Sequence, residues 1–91
     1  MQILFVHQNF PGQYVHIVQR LARMGDHQMV ALGINALDAN RPLPESLQFF
    51  RYPLERGNTE GIHPLVMETE TKIIRAEGCA RAAEQLKAKG F

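Results

Sequence analysis

Short apolar runs and one segment of helical periodicity alternate along the first half of this chain. Residues 3–6 form a continuous run of aliphatic and aromatic side chains, which is typical of a parallel strand buried on both faces. Residues 29–32 and 47–52 are two further strand-like runs, and the partial alternation of the third run favours a sheet edge. Between the first two runs, a helical pattern extends from Pro11 to a terminating Gly25. Its predicted apolar stripe comprises Tyr14, Ile17, Val18, Leu21, Ala22 and Met24.

A second, longer helical pattern covers residues 64–89. Pro64 suits the first helical turn, and Gly90 marks the end of the pattern. Gly78 interrupts it at a cost of about 1 kcal/mol relative to Ala, which allows a bend at this position. Residues 33–46 and 54–63 are predicted loops. The predicted apolar stripe of this helix comprises Leu65, Thr69, Ile73, Ala76, Ala80, Ala83 and Leu86.

The order of these elements predicts an α/β fold, an incomplete Rossmann-like parallel sheet of the form β-α-β-β-α over residues 1–91. A strand-helix-strand unit of this kind has a right-handed crossover in nearly all proteins. A long amphipathic helix followed by a glycine is typical of the segment that precedes another parallel strand. We therefore expect one partial domain, the N-terminal part of a larger α/β domain.

Composition excludes several classes of function. The 91-residue chain has a net charge of +1, with both signs interspersed, which argues against a nucleic-acid partner. Its single cysteine, Cys79, permits neither an internal disulfide nor a cysteine-based zinc site. Its place in an alanine-rich helical pattern favours a small buried side chain. Without a signal-like or membrane-spanning apolar stretch, a cytoplasmic location is the default expectation.

The first strand ends in the polar segment HQNFPGQ, residues 7–13. In open α/β sheets, ligands bind outside the carboxyl ends of the strands, and a helix start offers N–H groups to an anion. Gly12 would let a ligand approach the backbone closely. The alternative is plain helix initiation, with Asn9 as the cap and Pro11 in the first turn. His7 could contact a substrate, or could only hydrogen-bond the loop.

Motifs for other chemistries are absent from the sequence. It contains neither a GxGxxG fingerprint nor a Walker sequence, and neither a GxSxG elbow nor a paired-carboxylate arrangement. The four histidines form no HxxxH or HxH pair, so we predict no metal site. We accordingly predict no cofactor and assign no catalytic residue within residues 1–91.

Two stretches nevertheless resemble a known family. MQILFVHQNFPGQY followed by LARMGDHQMVALG is similar to the start of family-four retaining glycosyltransferases, which show a strand, a Pro/Gly loop, a helix ending in Leu-Ala, and Gly-His before the second strand. The HQNFPGQ string more specifically resembles a bacterial subgroup. Members of this subgroup also carry a segment similar to residues 63–91.

The resemblance implies a GT-B fold, in which two Rossmann-like domains face each other across a cleft. The C-terminal domain holds most of a nucleotide-sugar donor, and the N-terminal domain holds the acceptor, which is unknown here. Transfer would be retaining and metal-independent, and residues 1–91 alone would be inactive. Peripheral membrane association of the parent enzyme is a further expectation. Carried over, the resemblance nominates Pro11, Gly12 and Gln13 as substrate contacts, with His7 and Asn9 in support.

The sequence departs from the family pattern at two places. Relatives often have a double glycine where Pro11 and Gly12 stand, and Asp26 is inserted between Gly25 and His27. The first departure weakens the expectation of close backbone contact with a phosphate. The second alters the turn before the second strand.

Two other functions remain open from sequence. One is a small flavodoxin-like α/β module with a binding or regulatory role. The other is self-association, because the related strand order leaves residues 3–6 at an unpaired sheet edge. We expect a homodimer that hides this edge and the apolar face of the second helix.

Overall fold

The computed structural model describes residues 1–38, 40 and 42–91. The predicted loop over residues 33–46 includes Ala39 and Arg41, which lie outside the described residues. The chain divides into two compact units, Met1–Arg51 and Tyr52–Phe91, and each is described by itself.

The first unit is a three-stranded parallel sheet with one helix in the first crossover. Its strands are β1 (Gln2–Val6), β2 (Gln28–Gly33) and β3 (Leu47–Arg51), in the order β1-β2-β3. A short 3₁₀ helix, Gly12–Tyr14, leads into α1 (Val15–Met24). The predicted α/β class and parallel sheet are confirmed.

The core of this unit lies between the sheet and α1. The register aligns Ile3 with Met29 and Met29 with Leu47, so these three side chains share one face of the pleat. Val18 of α1 has no exposed surface and packs into the same cluster. Burying a side chain of this size contributes about 1.5–3 kcal/mol, so Val18 is a main anchor of α1. The buried cluster comprises Phe5, Phe10, Val18, Met29, Ala31 and Leu47.

Strand β1 is less buried than the sequence predicts. We expected a strand buried on both faces, but Phe5 is its only buried residue, and Val6 is 41% exposed. The reason is topological, because β1 pairs with β2 alone within the described chain and is an edge strand. Only β2 has the continuous burial expected of a central strand, from Met29 to Gly33. The edge position predicted for β3 is confirmed in this sheet.

Helix α1 begins at Val15, later than the predicted start at Pro11. Its buried face is also narrower than the sequence predicts. Ile17 and Met24 were placed in the stripe but are 53% and 57% exposed. Tyr14, Leu21 and Ala22 do pack against the core. The helix ends as predicted at Gly25, whose φ of 78° is the left-handed conformation that favours glycine.

The second unit is built on one long helix, α2 (Pro64–Ala88). Pro64 lies in its first turn, as predicted, and the side chain of His63 caps it by accepting a hydrogen bond from Leu65 N at 3.1 Å. The helix ends at Ala88, and Gly90 follows with a φ of 98°. The predicted span was therefore correct to within one residue.

The buried face of α2 is not the predicted one. Leu65 and Ile73 of the predicted stripe are 84% and 53% exposed, whereas Ile74 and Gly78 are buried. A shift of one residue rotates a helical face by about 100°. The rotation follows from contacts within this unit, because Gly78 is packed beneath the Tyr52 ring and the Pro53 carbonyl.

Polar contacts join the segment before α2 to the helix itself. The Glu70 carboxylate accepts hydrogen bonds from the backbone N–H and the hydroxyl of Thr59. Arg56 Nη1 lies 3.7 Å from the same carboxylate, and the Thr71 hydroxyl donates to the Asn58 side chain at 3.0 Å. We call this set the Glu70 cluster, and it ties the segment before α2 to the helix beside the buried residues Ile74 and Gly78.

Candidate functional site

The candidate site lies where the C-terminal ends of all three strands meet. We call this end of the sheet the carboxyl edge, as distinct from the lateral edges formed by β1 and β3. β1 ends at Val6, β2 at Gly33 and β3 at Arg51, and the register pairs Gly33 with Arg51. Because the strands are parallel, the residues that follow them share one edge. Residues 7–13, which we call the β1 loop, begin at this edge.

Backbone hydrogen bonds tie the start of the β1 loop to the end of β2. His7 N donates to Leu32 O at 3.1 Å. The carbonyl of Gln8 accepts from the N–H groups of both Ile34 and Asn35, each at 3.1 Å. These bonds fix the path of both segments as they leave the sheet.

Gly33 allows this close approach. A Cβ atom at this position would lie 3.0 Å from His7 O and 3.0 Å from Phe49 Cε2. Both distances are shorter than ordinary van der Waals contact, so a side chain at Gly33 would push the β1 loop off β2.

His7 packs inside the β1 loop rather than pointing free into solvent. Its Nδ1 accepts a hydrogen bond from Asn9 N at 3.0 Å, so the neutral ring carries its proton on Nε2. Its ring meets Tyr14 edge-on, with centroids 6.0 Å apart. Gly12 has a φ of 49°, and a Cβ there would lie 2.6 Å from His7 Nε2. The space that Gly12 leaves is therefore taken by the His7 imidazole in this structure.

Phe10 and Pro11 form the buried underside of the β1 loop. Phe10 is 3% exposed, and its ring lies 5.9 Å from that of Phe5 and 6.0 Å from that of Phe49. Pro11 is also buried, and the Phe10–Pro11 peptide bond is cis. Of the five predicted contact residues, Pro11 is thus a packing residue, whereas Asn9 and Gln13 are exposed.

Asn9 does not cap the helix, so that interpretation was wrong. The residue before the 3₁₀ helix is Pro11, and neither that helix nor α1 has a side-chain cap. The side-chain oxygen of Asn9 instead accepts a hydrogen bond from the side-chain amide of Asn35. Asn9 is not the cap because Phe10 and Pro11 lie between it and the first helical residue, Gly12.

Sequence reasoning missed two residues at this edge, Asn35 and Arg51. Arg51 Nε donates to Ile34 O at 3.0 Å, which ties the end of β3 to the segment that contains Asn35. Their positions at strand ends could have identified them, because Asn35 closely follows the predicted second strand and Arg51 lies at the end of the predicted third strand. The site therefore combines the β1 loop with Asn35 and Arg51.

The part of the chain that the structure describes contains neither a cluster of metal ligands nor a membrane-spanning helix. Within residues 1–38, 40 and 42–91, no three histidine, cysteine, aspartate or glutamate side chains are grouped as metal ligands. Neither helix in the described ranges combines the length and apolar character that a bilayer crossing requires.

Comparison with known families gives one match. Residues 25–91, more than half of the chain, match the family described as the glycosyl transferase family 4 group. Comparisons with curated proteins and with solved structures give no match. The matched residues include β2, β3 and α2 but not the β1 loop. The match confirms the predicted resemblance to family-four glycosyltransferases, and the chain belongs to the glycosyl transferase family 4 group.

Proposed function

We propose that this chain is the acceptor-side, N-terminal part of a glycosyltransferase that transfers a sugar from a nucleotide-sugar donor to an acceptor. The observation that carries the proposal is the family match over residues 25–91. The parallel sheet supports it, because a polar loop at the carboxyl edge of such a sheet lies where ligands bind in open α/β folds.

Within this proposal, the β1 loop faces the substrates. Asn9 and Gln13 are exposed and supply amide groups for hydrogen bonds to sugar hydroxyls or phosphate oxygens. The Nε2–H of His7 is a further donor, since its Nδ1 is already occupied by Asn9 N. Pro11 and Gly12 shape the loop that presents these groups. The HQNFPGQ string lies outside the matched residues, so its role rests on geometry and on its sequence resemblance.

The proposed reaction is retaining and requires no metal ion. Retention places the attacking acceptor hydroxyl and the departing diphosphate on the same face of the donor sugar. Charge develops on the diphosphate as it leaves, and a metal-independent enzyme must stabilise it with preorganised hydrogen bonds and cations. In the related GT-B arrangement, the second domain supplies most of these groups. We therefore propose that residues 1–91 alone bind substrate without catalysing transfer.

The experiment that tests the proposal is a titration of the ¹⁵N-labelled 91-residue chain with UDP-glucose, GDP-mannose and ADP-glucose, followed by amide chemical shifts. The proposal predicts saturable shifts in the β1 loop with at least one donor. Free glucose at the same concentration is the control for non-specific effects. Shifts that never saturate, or that avoid residues 7–13 with every donor, would refute the assignment of this loop.

The inactivity of the chain has its own test. Each donor is incubated with the chain and a panel of sugar acceptors, and products are detected by mass spectrometry. The proposal predicts no transfer and no stereospecific donor hydrolysis above the buffer control. Reproducible transfer by residues 1–91 would contradict it.

We further propose that the isolated chain forms a homodimer. The support is the edge position of β1, which pairs only with β2 in the described structure and leaves an unpaired row of backbone groups. The exposed apolar side chains Leu65 and Ile73 on α2 offer a second surface that a partner could cover. A cytoplasmic location and peripheral membrane contact of the parent enzyme remain predictions.

A further inference from the structure

We propose that Arg51 binds an anionic group of the substrate, a phosphate or a carboxylate, at the carboxyl edge of the sheet. The inference rests on the proposed function and deepens it, because it names the charge class of the ligand and a residue that selects it. Arg51 was not among the contacts predicted from sequence.

The placement of Arg51 is the first observation. It is the last residue of β3, it is exposed, and the sheet register sets it beside Gly33 at the end of β2. Its Nε–H donates to Ile34 O at 3.0 Å, which fixes one side of the guanidinium group at this edge. A guanidinium has five N–H donors and stays protonated at any physiological pH. The terminal NH₂ groups therefore remain available for a planar anion.

The electrostatic surroundings of Arg51 are the second observation. It forms no ion pair with a carboxylate anywhere in the described part of the chain. Asp38, in the connection that follows β2, accepts a hydrogen bond from Asn40 N at 2.9 Å. The positive charge of Arg51 is thus not neutralised by a bridging acid, and an anion could bind it in a bidentate manner.

Neighbouring amides extend the same donor-rich edge. Ile34 N and Asn35 N both donate to Gln8 O, so the segment that anchors Arg51 is bonded to the β1 loop. The Asn35 side-chain amide donates to the Asn9 side-chain oxygen. Each side-chain amide has two N–H donors, so this bond leaves the NH₂ group of Asn9 and one N–H of Asn35 for a ligand. Arg51 and these two amides together suit an anion rather than a cation.

The competing explanation is that Arg51 only braces the connection after β2 through Ile34 O. A bracing residue and a ligand-binding residue predict different results on substitution. A bracing role would change the shifts of residues 34 and 35 without changing the affinity for an anion. A binding role requires saturable anion binding that depends on the guanidinium group.

The test is an NMR titration of the 91-residue chain with three probes in turn: inorganic pyrophosphate, glucose 6-phosphate and glucuronate. These probes represent a donor diphosphate, an acceptor phosphate and an acceptor carboxylate. We expect saturable shifts at the Arg51 Nε–H and at the side-chain amides of Asn9 and Asn35 with at least one probe. The probe that binds most tightly identifies the source of the anion.

Three variants make the test specific. Arg51→Gln should weaken binding of that probe about tenfold, the usual effect of losing a charge-assisted hydrogen bond. Arg51→Lys keeps the charge without the planar fork and should give an intermediate affinity. Arg23→Gln, at an exposed arginine in the last turn of α1, is the matched control and should bind as the unmodified chain does.

The inference is overturned if no probe saturates, if Arg51→Gln binds as tightly as the unmodified chain, or if Arg23→Gln weakens binding equally. Should Arg51→Gln lose its dispersed spectrum, Arg51→Lys decides by the same criterion. The two proposals fail separately. Nucleotide-sugar shifts at residues 7–13 that persist unchanged in Arg51→Gln would leave the proposed function standing and remove only the role of Arg51.

Discussion

At the scale of single residues, the His7–Gly12 pair explains why the β1 loop has its shape. The imidazole lies where a Gly12 side chain would be, and its Nδ1 is bonded to Asn9 N. A glycine with a positive φ and a histidine five residues earlier thus form one packed unit. A hydrophobic strand can therefore end in a polar loop that is itself well ordered by local contacts.

Replacing Gly12 with Ala should destabilise the chain by about 1–2 kcal/mol, because alanine is disfavoured at a φ of 49° and its Cβ would displace the His7 ring. Urea unfolding followed by circular dichroism measures the change. Gly57→Ala is the matched control, since no atom lies within 4 Å of a Cβ at that position. A Gly12→Ala variant as stable as the Gly57→Ala variant would contradict the packing role of Gly12.

Cys79 should react slowly with disulfide reagents at neutral pH. Burial raises the pKa of its thiol, so the reactive thiolate is scarcer than in a free cysteine. We expect a reaction with a chromogenic disulfide several-fold slower than that of glutathione, and an equal rate once the chain is unfolded in urea. A native rate equal to that of glutathione would show that the thiol is not protected.

Residue-level prediction from the sequence succeeded where local rules decide. Gly25 at the end of α1 and Pro64 at the start of α2 follow from backbone preferences that do not depend on the fold. Asn9 was misassigned because its partner, Asn35, is distant in sequence. Arg51 was missed for the same reason, since its contact with Ile34 appears only when β3 pairs with β2.

At the scale of elements, helix α2 shows the competition between periodicity and close packing. Spacing alone predicted a stripe through Leu65 and Ile73, but Ile74 and Gly78 are the buried residues. The apolar side chains of α2 are spread around the helix and do not form one dominant face, so tertiary contacts determine which residues are buried. The sequence suggested that Gly78 allows a bend in α2. In the structure, Gly78 instead allows the backbone carbonyl of Pro53 to approach the helix closely.

Gly78→Ala tests that explanation. Alanine should stabilise a helix by about 1 kcal/mol, but here its Cβ would lie 3.1 Å from Pro53 O and 3.2 Å from the Tyr52 ring. Because the carbonyl is backbone and moves little, we expect a net loss of about 1 kcal/mol in the free energy of unfolding. Thr69→Ala, on an exposed part of α2, is the control and should cause no loss. A stabilised Gly78→Ala variant would contradict the close packing.

The Glu70 cluster should weaken in acid. Hydrogen bonds from Thr59 N–H and then from the Thr59 hydroxyl lower the pKa of Glu70, with a smaller contribution from Arg56, while burial opposes them. A carboxylate with a depressed pKa in the folded chain contributes stability above the pKa of the unfolded state. That stability is lost as the pH falls through the folded-state pKa.

Amide hydrogen exchange and carboxyl ¹³C shifts measure this effect. We expect Thr59 N–H to be protected at neutral pH and to lose protection as Glu70 becomes protonated. Glu70→Gln should remove the pH dependence, since its side chain does not titrate. A Glu70 carboxyl that titrates at or above the ordinary value for glutamate would refute the contribution of these bonds.

At the scale of the whole molecule, family membership and sheet topology both indicate an α/β fold with a parallel sheet. The parallel order β1-β2-β3 was predictable from three apolar runs and their connections, because crossover rules allow few alternatives. The edge position of β1 followed from the same topology. The prediction that β1 is buried on both faces failed because it considered the apolar run alone and not the edge position of the strand.

Sedimentation velocity tests the state of association. We expect the isolated chain to sediment as a dimer at micromolar concentration, since the β1 edge offers backbone groups for pairing. Leu4→Pro would remove one backbone N–H donor from β1 and should shift the chain toward monomer. Val6→Lys, a separate and less disruptive variant, places a charge on the same strand and should have the same effect. A monodisperse monomer at all concentrations would exclude the dimer.

The most direct test of the central claim is a relaxation measurement with a spin-labelled nucleoside diphosphate bound to the ¹⁵N-labelled chain. If the carboxyl edge faces the substrate, amide signals of the β1 loop and of residues 34 and 35 should broaden most. Signals at the opposite edge, where Met1 N bonds Asp26 O and Gln28 N bonds Met1 O, should stay sharp. Selective broadening at that opposite edge, or equal weak broadening throughout, would contradict the claim.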